Sequence, residues 1–161
     1  MAKNAARPKS ASAKPKAGPA QGKSNSTRTQ RAAAESPAFA RGLKIRREML
    51  GPQFAEAEID PAGDFMWVLH EWVTSACFGA MWGRPGLSPK IRSAVTLAIM
   101  VAQGRPRETK FHVKAGLKNG LSKEEIAEVL LHSLVYCGVP RGSEAFRAAD
   151  EMLRELGAVK A

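Results

Sequence analysis

The sequence predicts an all-α protein of five to six helices. Three observations carry that prediction. Apolar residues recur at three- and four-residue spacings from Arg41 onward, no run alternates with period two, and glycine, proline and capping residues punctuate the chain at helix-length intervals. At 161 residues the chain is long enough for one domain with a modest core.

The elements follow in order. "GLKIRREMLG" reads as a short helix ended by Gly51, with Leu43, Arg46 and Arg47 near one another. "DPAGDFMWVLHEWVTSACFGAMW" carries Phe65, Leu69, Trp72, Val73 and Ala76 as one stripe, which predicts a helix with that face buried. "GRPGLSP" breaks the chain, and Ser88 caps a new helix with Pro89 at its first position. That helix is apolar almost all round from Ala94 to Ala102 and is expected at the buried centre of the fold. Gly104 ends it, Pro106 starts another, and Gly120 ends that one. Ser122 and Glu125 form an S-x-x-E capping box for the next, whose core face is Ile126, Val129, Leu130, Leu134 and Cys137. Gly138 and Pro140 interrupt or kink it, and "RGSEAFRAADEMLREL" is the last helix, closed by Gly157.

The net charge of +10 invites a nucleic-acid or membrane partner until it is placed along the chain. Residues 1–40 hold eight basic side chains against Glu35 alone, whereas the other 121 residues hold 17 basic and 14 acidic ones. The basicity therefore belongs to an Ala/Lys/Pro-rich tail with too little apolar surface to offset the entropy of ordering. The expected organisation is a disordered solubilising tail over 1–40 and a helical domain over 41–157, with no specific nucleic-acid partner. No stretch of about twenty uncharged apolar residues occurs, so no membrane span is expected. Cys77 and Cys137 stand alone, in no CxxC or metal-ligand spacing, which fits a reduced cytoplasmic protein.

The chemistry-bearing candidates are few. "HEWVT" lacks the second histidine of a zinc-protease helix, and no metal site is expected. There is no phosphate loop, dinucleotide glycine pattern or GxSxG. His70 and His132 read as packed or surface histidines. The stretch "GRPRETKFHVKAGLKNG" differs: on a helix Arg105, Glu108 and His112 fall within about 60° of one another. Glu108 and His112, an i, i+4 pair, come within hydrogen-bonding reach, and the carboxylate would favour a protonated imidazole suited to general acid or base work. Arg105, at the helix start, adds positive charge beside the free N–H groups, an inviting place for a substrate carboxylate. The same spacing equally describes a salt-bridged solvated face.

The run from Arg84 to Leu153 resembles the carboxymuconolactone decarboxylase family in "RPGL", "GR…E…H", "NGLSKEEI" and "YCGVP", and within it the 4-carboxymuconolactone decarboxylase branch. With the preceding helices the likeness covers about Arg41 to Leu156. It implies an alkylhydroperoxidase D-like helical fold, a homo-oligomer (trimer or hexamer) and a site near a subunit boundary. The alkylhydroperoxidase D branch carries CxxCxxxH on the matching helix. Here Arg105 and Glu108 stand at the two cysteine positions, so thiol peroxidase chemistry is not expected.

For the decarboxylases the resemblance implies loss of CO2 from the γ-carbon of an unsaturated lactone, in aromatic-compound degradation by the β-ketoadipate route. Electrons flow into the lactone carbonyl and a proton returns at the α-carbon, with no cofactor. Arg84 and Arg105 would then bind carboxylate, with Arg92 also at the substrate site. Read from the residues alone, Trp82 is a candidate apolar lining of that site and Tyr136 either a pocket-lining phenol or, the stronger reading, a helix-packing residue. His112 would be the proton donor and Glu108 its orienting partner. The family pattern before "RPGL" resembles W-G-E-[IV]-W, whereas this chain reads "FGAMW", Phe78 to Trp82, with Ala80 in place of the glutamate. That departure leaves open an altered substrate, or a non-catalytic helical oligomer.

Overall fold

The structure, a computed structural model, describes residues 32, 36–52 and 63–159. Among these it is all-helical: six α-helices and one π-helical segment. Helix α1 (Pro37–Leu50) begins where the Ser36 hydroxyl accepts the Phe39 N–H at 3.1 Å and ends at Gly51. It starts four residues before the position 41 expected from the sequence, because Ser36–Pro37 supplies a cap and Phe39 is buried. Helix α2 (Asp64–Trp72) runs directly into a π-helical segment, Val73–Trp82. Helices α3 (Pro89–Gln103) and α4 (Pro106–Lys118) follow, each with proline in its first turn. Helix α5 (Lys123–Cys137) carries the expected capping box, both Ser122–Glu125 bonds being present. Gly138, at φ 87°, ends α5 outright rather than kinking it, and α6 (Val139–Glu155) starts at once.

Helices α3 to α6 surround the main core, built from Leu97, Val101, Val113, Ile126, Leu130, Ala145 and Ala149. A second apolar cluster joins α1 and the π-helical segment to α4. There Met49, Leu50 and Ala115 pack with Ile45, Phe78, Trp82 and Phe111. Two glycines let α1 and the π-helical segment touch backbone to backbone. A Cβ on Gly79 would lie 2.1 Å from the Ala38 carbonyl oxygen, and one on Gly42 would lie 1.8 Å from that of Thr74. No described helix is long and apolar enough to cross a membrane.

Two sequence expectations about burial are corrected. The Phe65–Leu69–Trp72 stripe faces outward, with Phe65 90% and Trp72 59% exposed. The inward side of that helix instead carries half-buried Trp67, His70 and Glu71 and the fully buried Thr74. The Trp67 ring packs tilted against Phe39, with centroids 5.8 Å apart. Helix α3 is the centre of the core on one side only: Leu97 and Val101 are buried, while Ile91, Val95 and Ile99 stand about half exposed. Both faces are left about half or more open to solvent, so apolar composition alone misjudged which side packs.

Candidate active site

The sequence of α4 fixes where its functional side chains go. Thr109, Val113 and Gly116 face the main core and Ala115 faces α1, so His112 falls between these two buried faces. It is half-buried, with the Phe111 ring edge-on at 5.0 Å. Burial pushes the His112 imidazole below its ordinary 6.5, and the negative charge of Glu108 pulls the other way and loses. The resting side chain is therefore held towards the neutral form, opposite to the expectation from the i, i+4 pairing. Glu108 is exposed and acts through its charge; no hydrogen bond joins it to His112 among the described residues.

Arg105 is the residue before α4 and is exposed. Its carbonyl accepts the Thr109 N–H at 2.8 Å and the Thr109 hydroxyl at 2.9 Å, which anchors the helix start. Across the α3–α4 corner the Arg141 guanidinium donates to the Ala102 carbonyl and shares a small pocket with Arg105, Thr109 and Glu144. Arg84 is exposed in the turn after the π-helical segment. Arg92 reaches back from α3 to that turn, donating to the Arg84 carbonyl at 3.0 Å and approaching the Met81 sulfur at 3.9 Å.

Trp82 stacks on Phe78 at 6.3 Å inside the cluster that holds Phe111, so the π-helical segment and α4 share one wall next to His112. Ala80 is exposed on that segment. Tyr136 lies apart from this group: it is 77% exposed, and its described ring neighbour is His132 at 5.1 Å. His132 in turn lines a groove between α3 and α5. Cys77 and Cys137 are free and half-buried, and burial raises the Cys77 thiol, which disfavours a nucleophilic thiolate.

Sequence reasoning missed Arg46. It is 3% exposed, donates to the Thr74 hydroxyl at 2.8 Å, and lies over the Phe78 ring at 5.4 Å. The signal was present in its spacing, because Phe39, Gly42, Arg46, Met49 and Leu50 mark the buried face of α1. An arginine in that row is a charge turned inward.

A family model described as the carboxymuconolactone decarboxylase family matches residues 69–151. The 4-carboxymuconolactone decarboxylase of Acinetobacter baylyi is 34% identical over 119 residues, covering 74% of this chain and 89% of the relative. The nitrosuccinic acid decarboxylase of Metarhizium robertsii is 33% identical over 118 residues, covering 73% and 82%. Helical fold and relatives together define an enzyme of the decarboxylase kind, a carbon–carbon lyase. The chain belongs to the carboxymuconolactone decarboxylase family.

Proposed function

We propose that the chain is a cofactor-independent decarboxylase acting on a small polycarboxylate of the 4-carboxymuconolactone type, with His112 as its acid/base group. The observation that carries this reading is the half-buried His112, kept towards neutrality, with Glu108 and Arg105 on the same helix. The two relatives' names add a shared chemistry. Each substrate so named carries more than one carboxylate and an internal electron sink, a conjugated lactone carbonyl in one and a nitro group in the other.

Arg84 and Arg105 hold the carboxylates, bidentate where the geometry permits. A dianion bound beside His112 raises the proton affinity of the imidazole, which takes up a proton from solvent as substrate enters. When the C–CO2 bond breaks, its electron pair passes through the double bond to the carbonyl oxygen. The imidazolium then returns its proton to the α-carbon, and Glu108 stabilises the cation in between. Trp82 and Phe78 contribute an apolar wall that keeps water from this exchange. The two free cysteines favour a reducing, cytoplasmic setting.

A homo-oligomer, trimeric or hexameric, is part of the same reading. Its support is the outward apolar stripe of α2 with Met81, a surface that a second copy would remove from water. The second reading, an altered substrate or a binding role, is favoured by one observation, the exposed Ala80 where the family pattern has glutamate.

The test is turnover of 4-carboxymuconolactone and, in parallel, nitrosuccinic acid, followed as CO2 release in the unsubstituted chain, His112→Ala and Ala80→Glu. Activity lost in His112→Ala is the expected result. Activity confined to Ala80→Glu would mean a scaffold lacking one catalytic group, and activity retained in His112→Ala would remove the proposed mechanism.

A further inference from the structure

The connection between the π-helical segment and α3 is thinly held. Gly83 and Arg84 N–H groups close the segment's end on the Phe78 and Met81 carbonyls. Beyond that, Pro85, Gly86 and Leu87 are exposed, and a Cβ on Gly86 would meet nothing within 4 Å. Among the described residues, the bond from Arg92 is the one side-chain hydrogen bond received by the backbone between Arg84 and Leu87. The guanidinium uses two separate arms, Nη2 to the Arg84 carbonyl and Nη1 to the Met81 sulfur, so it spans both ends of the bend. Its Nε is buried without a partner, so the inner edge of the fork is turned away from solvent.

We infer that Arg92 is a positioning residue: it clamps the Arg84–Leu87 turn and thereby aims the exposed Arg84 side chain at a substrate carboxylate, without binding substrate itself. This rests on the reading of Arg84 as a carboxylate ligand. The planar fork suits the role, since a lysine in its place has one ammonium on a flexible stem and cannot hold two acceptors at fixed separation. The α3 helix gives the clamp a rigid base, because Ser93, next to Arg92, and Leu97 further along the same helix are fully buried.

The experiment has two arms, on Arg92→Gln and on the milder Arg92→Lys in case the first does not fold. Amide hydrogen exchange of the full chain reads the clamp directly. Exchange at Gly83 and Arg84, whose N–H groups close on the Phe78 and Met81 carbonyls, should accelerate about tenfold, with the interior of α3 unchanged. Unchanged exchange in that turn would overturn the inference. Steady-state kinetics on whichever decarboxylation substrate is turned over reads the consequence. KM should rise about tenfold with kcat within about twofold, and Arg84→Gln should give the same split. The Arg84→Gln/Arg92→Gln double variant should be no worse than Arg84→Gln alone, as expected of two residues acting through one contact. Additive losses would show that Arg92 touches substrate itself and would overturn the assignment. Absence of turnover by the unsubstituted chain would defeat the decarboxylase reading alone, since the exchange arm still decides whether Arg92 holds the turn.

Discussion

Replacing Gly79 with alanine tests the backbone contact that seats the π-helical segment on α1. The new Cβ would stand 2.1 Å from the Ala38 carbonyl oxygen, and that atom is main chain, so no rotamer change relieves the contact. An ordinary C···O approach is about 3.3 Å or more, so the two elements must part by about 1 Å. Overpacking of this size costs about 1–3 kcal/mol. The Arg46–Thr74 bond, 2.8 Å long and buried across the same interface, stretches with it, and a bond to a charged group is worth about 1.5–3 kcal/mol. Against this, alanine is the better helix former by up to about 1 kcal/mol. The clash wins, and the net loss should be about 3 kcal/mol, or roughly 10 °C in Tm for a chain of this size. Thermal and urea unfolding at one fixed protein concentration measures it, which keeps any self-association constant. Gly79→Ala within about 0.5 kcal/mol of the parent, or more stable, would refute the packing argument.

Gly86→Ala is the matched control: it has open space around it and no unusual φ, so it should be neutral or stabilising by up to about 1 kcal/mol. Ser122→Ala removes the capping hydroxyl of α5, which accepts the Glu125 N–H at 3.1 Å, and should cost about 1 kcal/mol in the same unfolding assay. Because burial lowers the folded-state affinity of His112 for a proton, the unfolded chain binds that proton more readily as the pH falls through 6.5. Stability should therefore decline on acidification, and His112→Gln should flatten the decline; an unchanged slope would mean that His112 is not desolvated. Glu108→Gln removes the opposing negative charge and should move the His112 titration to still lower pH in NMR. Calorimetry of succinate binding in buffers of different ionisation enthalpy should show proton uptake that disappears in His112→Ala.

Much of the helical framework was legible because its punctuation is local chemistry. Ser88–Pro89, Gly104–Pro106, Ser122–Glu125 and Gly138 each fix a helix end by a cap, a missing N–H or a positive φ, and none depends on distant partners. The Arg105–Glu108–His112 face was legible for the same reason, since helical spacing alone sets it. Its electrostatics were not. Whether Glu108 or burial decides the proton on His112 depends on how deeply α1 and the core cover that side chain, and this is a tertiary quantity. The spacing of Arg46 marked it as inward, but neither its partner nor that of Arg92 was legible: an arginine in sequence does not say whether it meets a buried hydroxyl or a carbonyl of a neighbouring turn.

The largest misreading is also informative about assembly. A helix in a chain that stays alone turns its apolar stripe inward, because removing each large side chain from water contributes about 1.5–3 kcal/mol. Helix α2 and its extension do the reverse, placing Glu71 and Thr74 inward, bonded to Ser75 and Arg46 respectively, and Phe65, Val68, Leu69 and Trp72 outward. The buried Arg46–Thr74 bond ties the inward side of the segment to α1, so this orientation is held by a specific bond across the chain. A face that is apolar, aromatic and fixed in place has the composition of an interface core. Sedimentation of the Leu69→Glu/Trp72→Glu variant decides the point. Dissociation to a folded monomer is expected, and an unchanged sedimentation coefficient would show that this face is not where copies of the chain meet.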